Sequence, residues 1–271
     1  MLTQAQKGIA FRALHARDRA FIIPNPWDVG TARLLEHLGF EALATTSAGY
    51  AFSAGKRDNT IGRDEMLEHA SKIVGATNLP VSADLENGFG DSPKTVAETI
   101  RLAAATGLAG CSIEDMSPDR AIYGLAQAAE RVRAAAETAR SFPFPFTLTG
   151  RSENYLVGKP DLKDTISRLQ AYQDAGADVL YAPGLTSKDE ISTVVRSIDR
   201  PVNVVMGLQG VQLSLDELSA LGVKRVSVGS TLSRTALGAF LRAAKEMKER
   251  GTFTFAADAV SFRDISAMFK P

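Results

Sequence analysis

The stretch Val81-Ser-Ala-Asp84-Leu-Glu86-Asn-Gly88-Phe-Gly90-Asp91 decides how the rest of the chain is read. It follows Leu79-Pro80, opens with a short apolar run, places two carboxylates two residues apart, and breaks at two glycines. This pattern predicts a strand over 80–84 that delivers Asp84 and Glu86 to its C-terminal end. Two readings are open for the acids. They are oxygen ligands for a hard cation such as Mg2+, which takes one or two carboxylates and keeps several waters, or they are solvated acids before a glycine turn. What the other strands bring alongside decides between them.

Outward from this stretch the same unit recurs. Helices predicted over 3–18, 28–38, 63–76, 93–106, 124–140, 161–175, 187–197, 214–221 and 231–250 alternate with strands over 20–25, 41–46, 80–84, 109–114, 145–150, 177–182, 201–206 and 224–228. Asp28 is placed to cap a helix, and Gly39, Gly107, Gly176, Gly222 and Gly251 stand where helices stop. Nearly all-apolar strands joined by helices form a parallel sheet covered on both faces. Eight such units predict an α/β protein, a (β/α)8 TIM barrel, with an open doubly wound sheet as the alternative. The segment 47–62 reads as a long, polar, glycine-containing loop. No linker divides the chain, so residues 1–271 read as one domain. Its end, 252–271, is an apolar tail (Phe253, Phe255, Phe262, Ile265, Met268, Phe269) expected to pack on the barrel or on a partner subunit.

Composition narrows the function. The 271 residues are 45% hydrophobic and 23% charged, with 31 basic and 31 acidic side chains, ordinary for a globular protein with a sizeable core. No basic face or tail is evident, which argues against nucleic acid as a partner. The N-terminal residues lack the apolar core of a signal peptide, and no run nears the roughly 18 apolar residues of a membrane span. A cytoplasmic enzyme is the expectation. Cys111 falls mid-strand and reads as core. His15, His37 and His69 fall in predicted helices of the outer ring. With no His or Cys base turned inward, a nucleophilic triad is not expected, and no GxGxxG follows a strand.

Barrel chemistry sits at the C-terminal strand ends, which here carry Ser47, Asp84, Glu86, Glu114, Arg151 and Asn203. Asp84, Glu86 and Glu114 can surround one Mg2+ directly or through its waters, though Glu114 also suits a structural salt bridge. Arg151 suits a substrate carboxylate or phosphonate, for which its planar fork is matched, or a pairing with Glu153. Ser47-Ala48-Gly49 offers backbone N–H groups to an anion. Lys56-Arg57-Asp58 lies on the same side, and Trp27 follows the first strand as packing or pocket wall.

Together, Pro24-Asn-Pro-Trp-Asp-Val-Gly30, Thr45-Thr-Ser-Ala-Gly49, Arg57-Asp58, Val81–Gly90, Ser112-Ile-Glu-Asp115, Gly150-Arg-Ser-Glu153, Ala175-Gly-Ala-Asp178 and Arg200-Pro-Val-Asn-Val204 resemble the isocitrate lyase/phosphoenolpyruvate mutase superfamily over about residues 20–245. The resemblance implies a barrel of the phosphoenolpyruvate/pyruvate-binding type with a C-terminal helical extension. It implies Mg2+, with Mn2+ as the alternative ion, and a small 2-oxo acid or dicarboxylate substrate. It also implies a homo-oligomer, dimer or tetramer, with a swapped last helix. By the same resemblance Asp84 contacts the metal, and Glu86 and Glu114 hold its waters. Ser47 with the backbone of Ala48 and Gly49 binds a carboxylate. Arg151 holds the substrate anion and oxo group, and Asp58 lies near the reacting centre.

Two departures stand out. The lyases carry a Lys-Lys/Arg-Cys-Gly-His loop after the fourth strand and the mutases a Lys-Thr-Asn type loop. This chain has Met116-Ser-Pro-Asp-Arg120-Ala-Ile-Tyr123-Gly124. Isocitrate and methylisocitrate cleavage are left without their usual proton donor, and Arg120 or Tyr123 are the groups that remain there. The metal pair is Asp-x-Glu where Asp-x-Asp is usual. The leading expectation is a Mg2+-dependent lyase that forms or breaks a C–C bond of a 2-oxo or 2-hydroxy (di)carboxylate through an enolate, isocitrate/methylisocitrate lyase-like or oxaloacetate-type. The loop 116–124 is expected to close over it. Phosphoenolpyruvate mutase or phosphonopyruvate hydrolase chemistry is the second reading, and a non-catalytic 2-oxo-acid binding protein the third.

Overall fold

A computed structural model describes residues 2–185, 187–208, 210 and 212–269. Eight parallel strands form a nearly closed barrel: β1 Phe21–Ile23, β2 Leu43–Ala44, β3 Val81–Asp84, β4 Gly110–Glu114, β5 Thr147–Arg151, β6 Val179–Tyr181, β7 Val202–Val205 and β8 Arg225–Ser227. The helices are α1 Gln4–His15, α2 Val29–His37, α3 Ser47–Ser53, α4 Arg63–Ala76, α5 Pro93–Ala105, α6 Leu125–Arg140, α7 Leu162–Asp174, α8 Lys188–Arg196, α9 Leu215–Ala220, α10 Thr231–Arg250 and α11 Phe262–Met268. The fold is a (β/α)8 TIM barrel.

Strand pairing runs β1-β8-β7-β6-β5-β4-β3-β2. The seam between β1 and β2 is different. Pro24 and Pro26 have no N–H to give to a ladder, and the seam is bridged by the Ala44 N–H on the Pro24 carbonyl at 3.0 Å. Asn25 completes it: its side-chain amide donates to the Thr45 carbonyl, while its Oδ1 accepts from Val228 and Gly229 N–H at 2.9 Å. One buried amide thus ties β8, β1 and β2 together.

Helix caps follow the sequence. The Asp28 carboxylate accepts the Thr31 N–H at 2.7 Å, and Ser187 with Glu190 and Ser214 with Glu217 form capping boxes. Between strands and helices lies the apolar layer, with Ile73, Ile100, Leu108, Ile113 and Leu148 almost fully buried. α1 closes the base, where Phe11 and Leu14 pack on Phe21, Ile23, Ala42 and Ala109.

The barrel's inside is polar. Registered pairs run Glu114–Arg151–Tyr181–Asn203–Arg225 across β4 to β8. Residues paired in register share a sheet face, so this row turns five polar side chains inward, where barrels are ordinarily filled by Val, Ile and Leu.

Two sequence expectations change, and a third feature is given its form. The segment 47–62 is not all loop, because Thr46 caps α3 by accepting the Gly49 N–H at 3.2 Å. His15 and His69 are buried rather than on the outer surface. His15 belongs to the base plug, bonded to the Phe11 carbonyl, and His69 stacks on Tyr50 with ring centroids 3.8 Å apart. The loop 116–124 is a closed turn, bridged at Met116–Ile122 and tied by the Ser117 N–H to the Ala121 carbonyl.

The C-terminal part stands apart. Of α10 only Ser233 is buried, and Phe240 and Leu241 are 66% and 55% exposed. Beyond it a 3-10 turn, Thr254–Asp258, leads to α11, which touches α2. Phe253 and Phe262 face solvent. The tail's last two residues, Lys270 and Pro271, lie outside the described residues.

Candidate active site

The turn after β3 is built to hold Glu86. Gly88 donates to the Leu85 carbonyl at 2.8 Å, and Glu86 sits at φ 49°, a left-handed conformation rare for a residue with a long side chain. Such a conformation costs on the order of 1–3 kcal/mol and persists only where the surroundings enforce it. Here they do. The buried Arg131 guanidinium of α6 donates to the carbonyls of Asn87, Gly90 and Glu114, and its cation lies 4.1 Å from the Tyr123 ring centroid. Thr99 bonds the Gly88 carbonyl, and the Glu114 N–H bonds the Glu86 carbonyl. Gly88 (φ 80°) is needed twice over, since a Cβ there would crowd Val96 at 3.1 Å.

Asp84 ends β3 with both oxygens engaged. Ser47 donates through its hydroxyl at 2.9 Å and its N–H at 3.3 Å to Oδ2, and Glu86 N–H reaches Oδ1 at 3.4 Å. Arg151 ends β5. Its Nη1 lies 3.2 Å from Glu114 and 3.5 Å from Asp84, its Nε donates to Glu153, and its guanidinium sits 5.2 Å from the Tyr181 ring centre. Behind it Asp115 anchors the scaffold, accepting from Tyr172, Arg168 and the Glu153 N–H.

These groups enclose a pocket of about 70 Å3 lined by Ser47, Asp58, Glu86, Glu114, Arg120, Arg151 and Glu153 among others. It meets a wider mouth of about 790 Å3 between residues 59–65, 86–91 and 117–119. Five carboxyl groups (Asp58, Asp84, Glu86, Glu114, Glu153) face two guanidinium groups. Burial first, and the crowded negative charge second, raise Asp58, Glu86 and Glu114. Burial, then Asp84 and Asp58, pushes Glu86 up to about 8. Burial raises Glu114, with Arg151 opposing and the neighbouring acids adding. Burial and Asp84 raise Asp58, whose outer face is in solvent while its carboxyl faces the pocket.

Glu86 Oε1 is buried with no hydrogen-bond partner. An orphaned carboxylate oxygen among other acids is the environment a hard cation relieves. Among the described residues no three acids or histidines are grouped tightly enough to ligate one ion directly. Asp84, Glu86 and Glu114 are the oxygen donors here that would face such an ion.

Of the ten residues the sequence nominated, the structure brings Ser47, Asp58, Asp84, Glu86, Glu114 and Arg151 together. Trp27, Ala48 and Gly49 stand outside the pocket walls. Gly49 is pressed against Thr46 and Trp27, and its N–H is spent on the α3 cap. Asn203 lies lower in the barrel, bonded to Ser227 and Arg225. Of the loop 116–124, Arg120 lines the pocket and donates to the Leu156 carbonyl, whereas Tyr123 points back to Asp91 and Asn87. Sequence reading missed Tyr181. Its signal was available, because a tyrosine ends the sixth strand one position before Ala182-Pro183-Gly184.

The profile of the family named phosphoenolpyruvate phosphomutase matches residues 11–248. The chain belongs to that family, within the phosphoenolpyruvate mutase/isocitrate lyase superfamily. Its fellow members include lyases and mutases. A solved structure from Burkholderia cenocepacia J2315, whose name leaves lyase or mutase open, is 66% identical, covers 97% of this chain and 95% of its own, and superposes with a TM-score of 0.95. An uncharacterised Mycobacterium tuberculosis protein is 32% identical over 89% of this chain and 90% of its own length. A probable 2-methylisocitrate lyase of Corynebacterium glutamicum is 30% identical over 90% of this chain and 82% of its own length. Among the described residues no helix is long and apolar enough to cross a membrane.

Proposed function

We propose that the protein is a Mg2+-dependent lyase that breaks or forms a C–C bond of a small 2-oxo or 2-hydroxy dicarboxylate through an enolate. One observation carries the reading: Arg151 is fixed at the junction of Glu114, Asp84 and Glu153, beside the orphaned Glu86 oxygen. Asp84, Glu86 and Glu114 would hold Mg2+, or Mn2+ in its place. That ion would polarise the oxo group and stabilise the negative charge that develops as the bond breaks. Arg151 would present its planar fork to the substrate's carboxylate and oxo oxygen. Asp58 holds its proton more tightly than a solvated aspartate, which suits exchange of a proton with the substrate hydroxyl or the leaving carbon. The turn 116–124 roofs the pocket and limits water, with Arg120 presented from it.

The family name supports a second reading, rearrangement or hydrolysis of a P–C bond. Turnover separates them. Pyruvate or a related 2-oxo acid released from a panel of 2-hydroxy dicarboxylates supports the lyase, and phosphate released from phosphonopyruvate supports the second reading. Oxo-acid binding with no turnover of either leaves the third reading, a binding protein. Asp84→Ala should abolish cation binding in calorimetry, and retention of that binding would remove the site assignment.

We also propose that the protein is a homo-oligomer, as the family resemblance implies. The exposed apolar face of α10 is the surface a second copy would cover, by exchange of that helix in a dimer or tetramer. Light scattering behind size exclusion measures this, and a monomer at micromolar concentration speaks against it.

A further inference from the structure

The barrel interior holds a charge that the proposed reaction does not use. Arg225 of β8 is only 5% exposed. Its Nε donates to Asn203 Oδ1 at 2.9 Å and its Nη2 to Thr149 Oγ1 at 3.0 Å, while Nη1 lies 3.5 Å from His15 Nε2. All three partners are uncharged: an amide, a hydroxyl, and an imidazole that burial keeps neutral. Of the other buried arginines near the site two have counter-charges, and the third, Arg131, has carbonyl acceptors in their place. Arg151 has three acids, Arg168 has Asp115 and Asp164, and Arg131 has backbone carbonyls and the Tyr123 ring. Among the described residues no carboxylate lies within ion-pair distance of Arg225. A guanidinium removed from water without a counter-charge is costly, and buried charges are normally paired.

Beside it is a cavity of about 60 Å3, larger than the roughly 10–15 Å3 one water needs. Its donors are the Arg225 and Arg151 guanidinium groups and the hydroxyls of Ser82, Ser112 and Tyr181, set among Ile23, Ala44 and Ala83, while the Asn25 and Asn203 amides are spent on the Thr45 carbonyl and Ser227. Arg151 lines both this cavity and the acid-lined pocket, so it stands between the two. Asp84 also borders the cavity, but its carboxylate is held by Ser47 and Arg151.

We propose that this cavity is an anion subsite centred on Arg225, sized for one small monovalent anionic group. A single carboxylate group and a halide-sized ion share the required chemistry. Where the group is the far carboxylate of the substrate, the subsite rests on the dicarboxylate reading above and selects dicarboxylates over 2-oxo monocarboxylates. Where it is a free ion, it is a fixed structural counter-charge.

The test uses the metal-free full chain with no substrate, so its outcome does not depend on any reaction. Crystals soaked in sodium bromide should give an anomalous peak in the cavity beside Arg225. In solution, exchanging gluconate for bromide or formate at constant ionic strength should raise Tm. The rise should vanish in Arg225→Met and persist in part in Arg225→Lys. If Arg225→Met does not fold, the wild-type diffraction decides by itself. No peak in the cavity, together with a Tm indifferent to the anion, overturns the subsite, as does an equal peak in Arg225→Met. Two further results identify the occupant. A KM for the dicarboxylate raised tenfold or more in Arg225→Lys, with bromide acting as a competitive inhibitor, identifies the substrate arm. Bound bromide with no effect on KM identifies the structural ion. Either supports the subsite. A chain that binds bromide and turns nothing over keeps the subsite and loses only the lyase reading.

Discussion

Glu86 concentrates the chemistry of the site in one side chain: a left-handed backbone, a buried oxygen without a partner, and a pKa pushed up to about 8. Its linkage follows directly. Between about pH 4.5 and 8 the folded chain holds a proton there that the unfolded chain has lost, so its contribution to metal-free stability falls as pH rises through that window. Cation binding must displace the proton. Mg2+ affinity by calorimetry should therefore climb up to about tenfold per pH unit between pH 6 and 8 and level off above. Glu86→Gln should weaken binding about 10–100-fold and flatten the climb, and a climb unchanged in that variant would clear Glu86 of the role. Arg151→Lys keeps the charge but loses the fork, so kcat/KM of whichever reaction is found should drop about 10²–10³-fold. At this scale the sequence was most legible where polar residues interrupt apolar strands at their ends, as at Asp84, Glu114 and Arg151. It was least legible where residues act through contacts distant in the chain. Nothing near Arg225 in sequence announces Thr149 or His15, and nothing in Glu86 itself announces that its φ is positive.

At the scale of elements, the turn after β3 is held from behind by α6. Arg131→Met would leave two buried carbonyls and one half-buried one without their donor. A loss of about 3 kcal/mol, or roughly 6–12 °C in Tm, is expected by calorimetry, with weaker Mg2+ binding because Glu86 is released from its strained conformation. A variant with unchanged Tm would show the clamp to be dispensable. The same scale explains the misread of 47–62. Gly49 and Gly55 and the charges after Phe52 look like loop, yet Thr46 supplies a cap and a seven-residue helix is enough to aim the Ser47 hydroxyl at Asp84. The loop 116–124 lacks the residues that would have named the reaction, and only the structure separates its pocket-facing Arg120 from its inward-facing Tyr123. For α10, Phe240→Glu with Leu241→Glu should shift the sedimentation coefficient to that of the monomer if a second copy covers this face. The periodicity of α10 was readable in the sequence. That its apolar stripe turns away from its own barrel was signalled only by the resemblance, through its swapped last helix.

For the whole molecule, the alternation of strand and helix made the barrel legible, because a parallel sheet covered on both faces has few other ways to close. What alternation could not convey was the polar interior, which depends on register between strands some 22 to 37 residues apart. The buried histidines give the molecule an acid limit. Burial holds His15 down to about 3 and His69 down to about 4. Both are depressed below the unfolded value near 6.5, so the stability they contribute is complete above pH 6.5 and is lost as pH falls from there. Tm measured from pH 7 to 4 should decline, with a shallower slope in His15→Asn, and an identical slope would assign the acid loss to other groups. Finally, the ring has a clasp. Seven of its eight joints are strand ladders, and the eighth is one backbone bond plus the Asn25 amide. A ring under load opens at its clasp, so a breathing motion or a circular permutation that cuts there parts β1 from β2 while β3, β4 and β5 stay laddered together. β2 stays laddered to β3 as well, so Ser47 keeps its bond to Asp84, and Asp84, Glu86, Glu114 and Arg151 would move with it as one rigid piece.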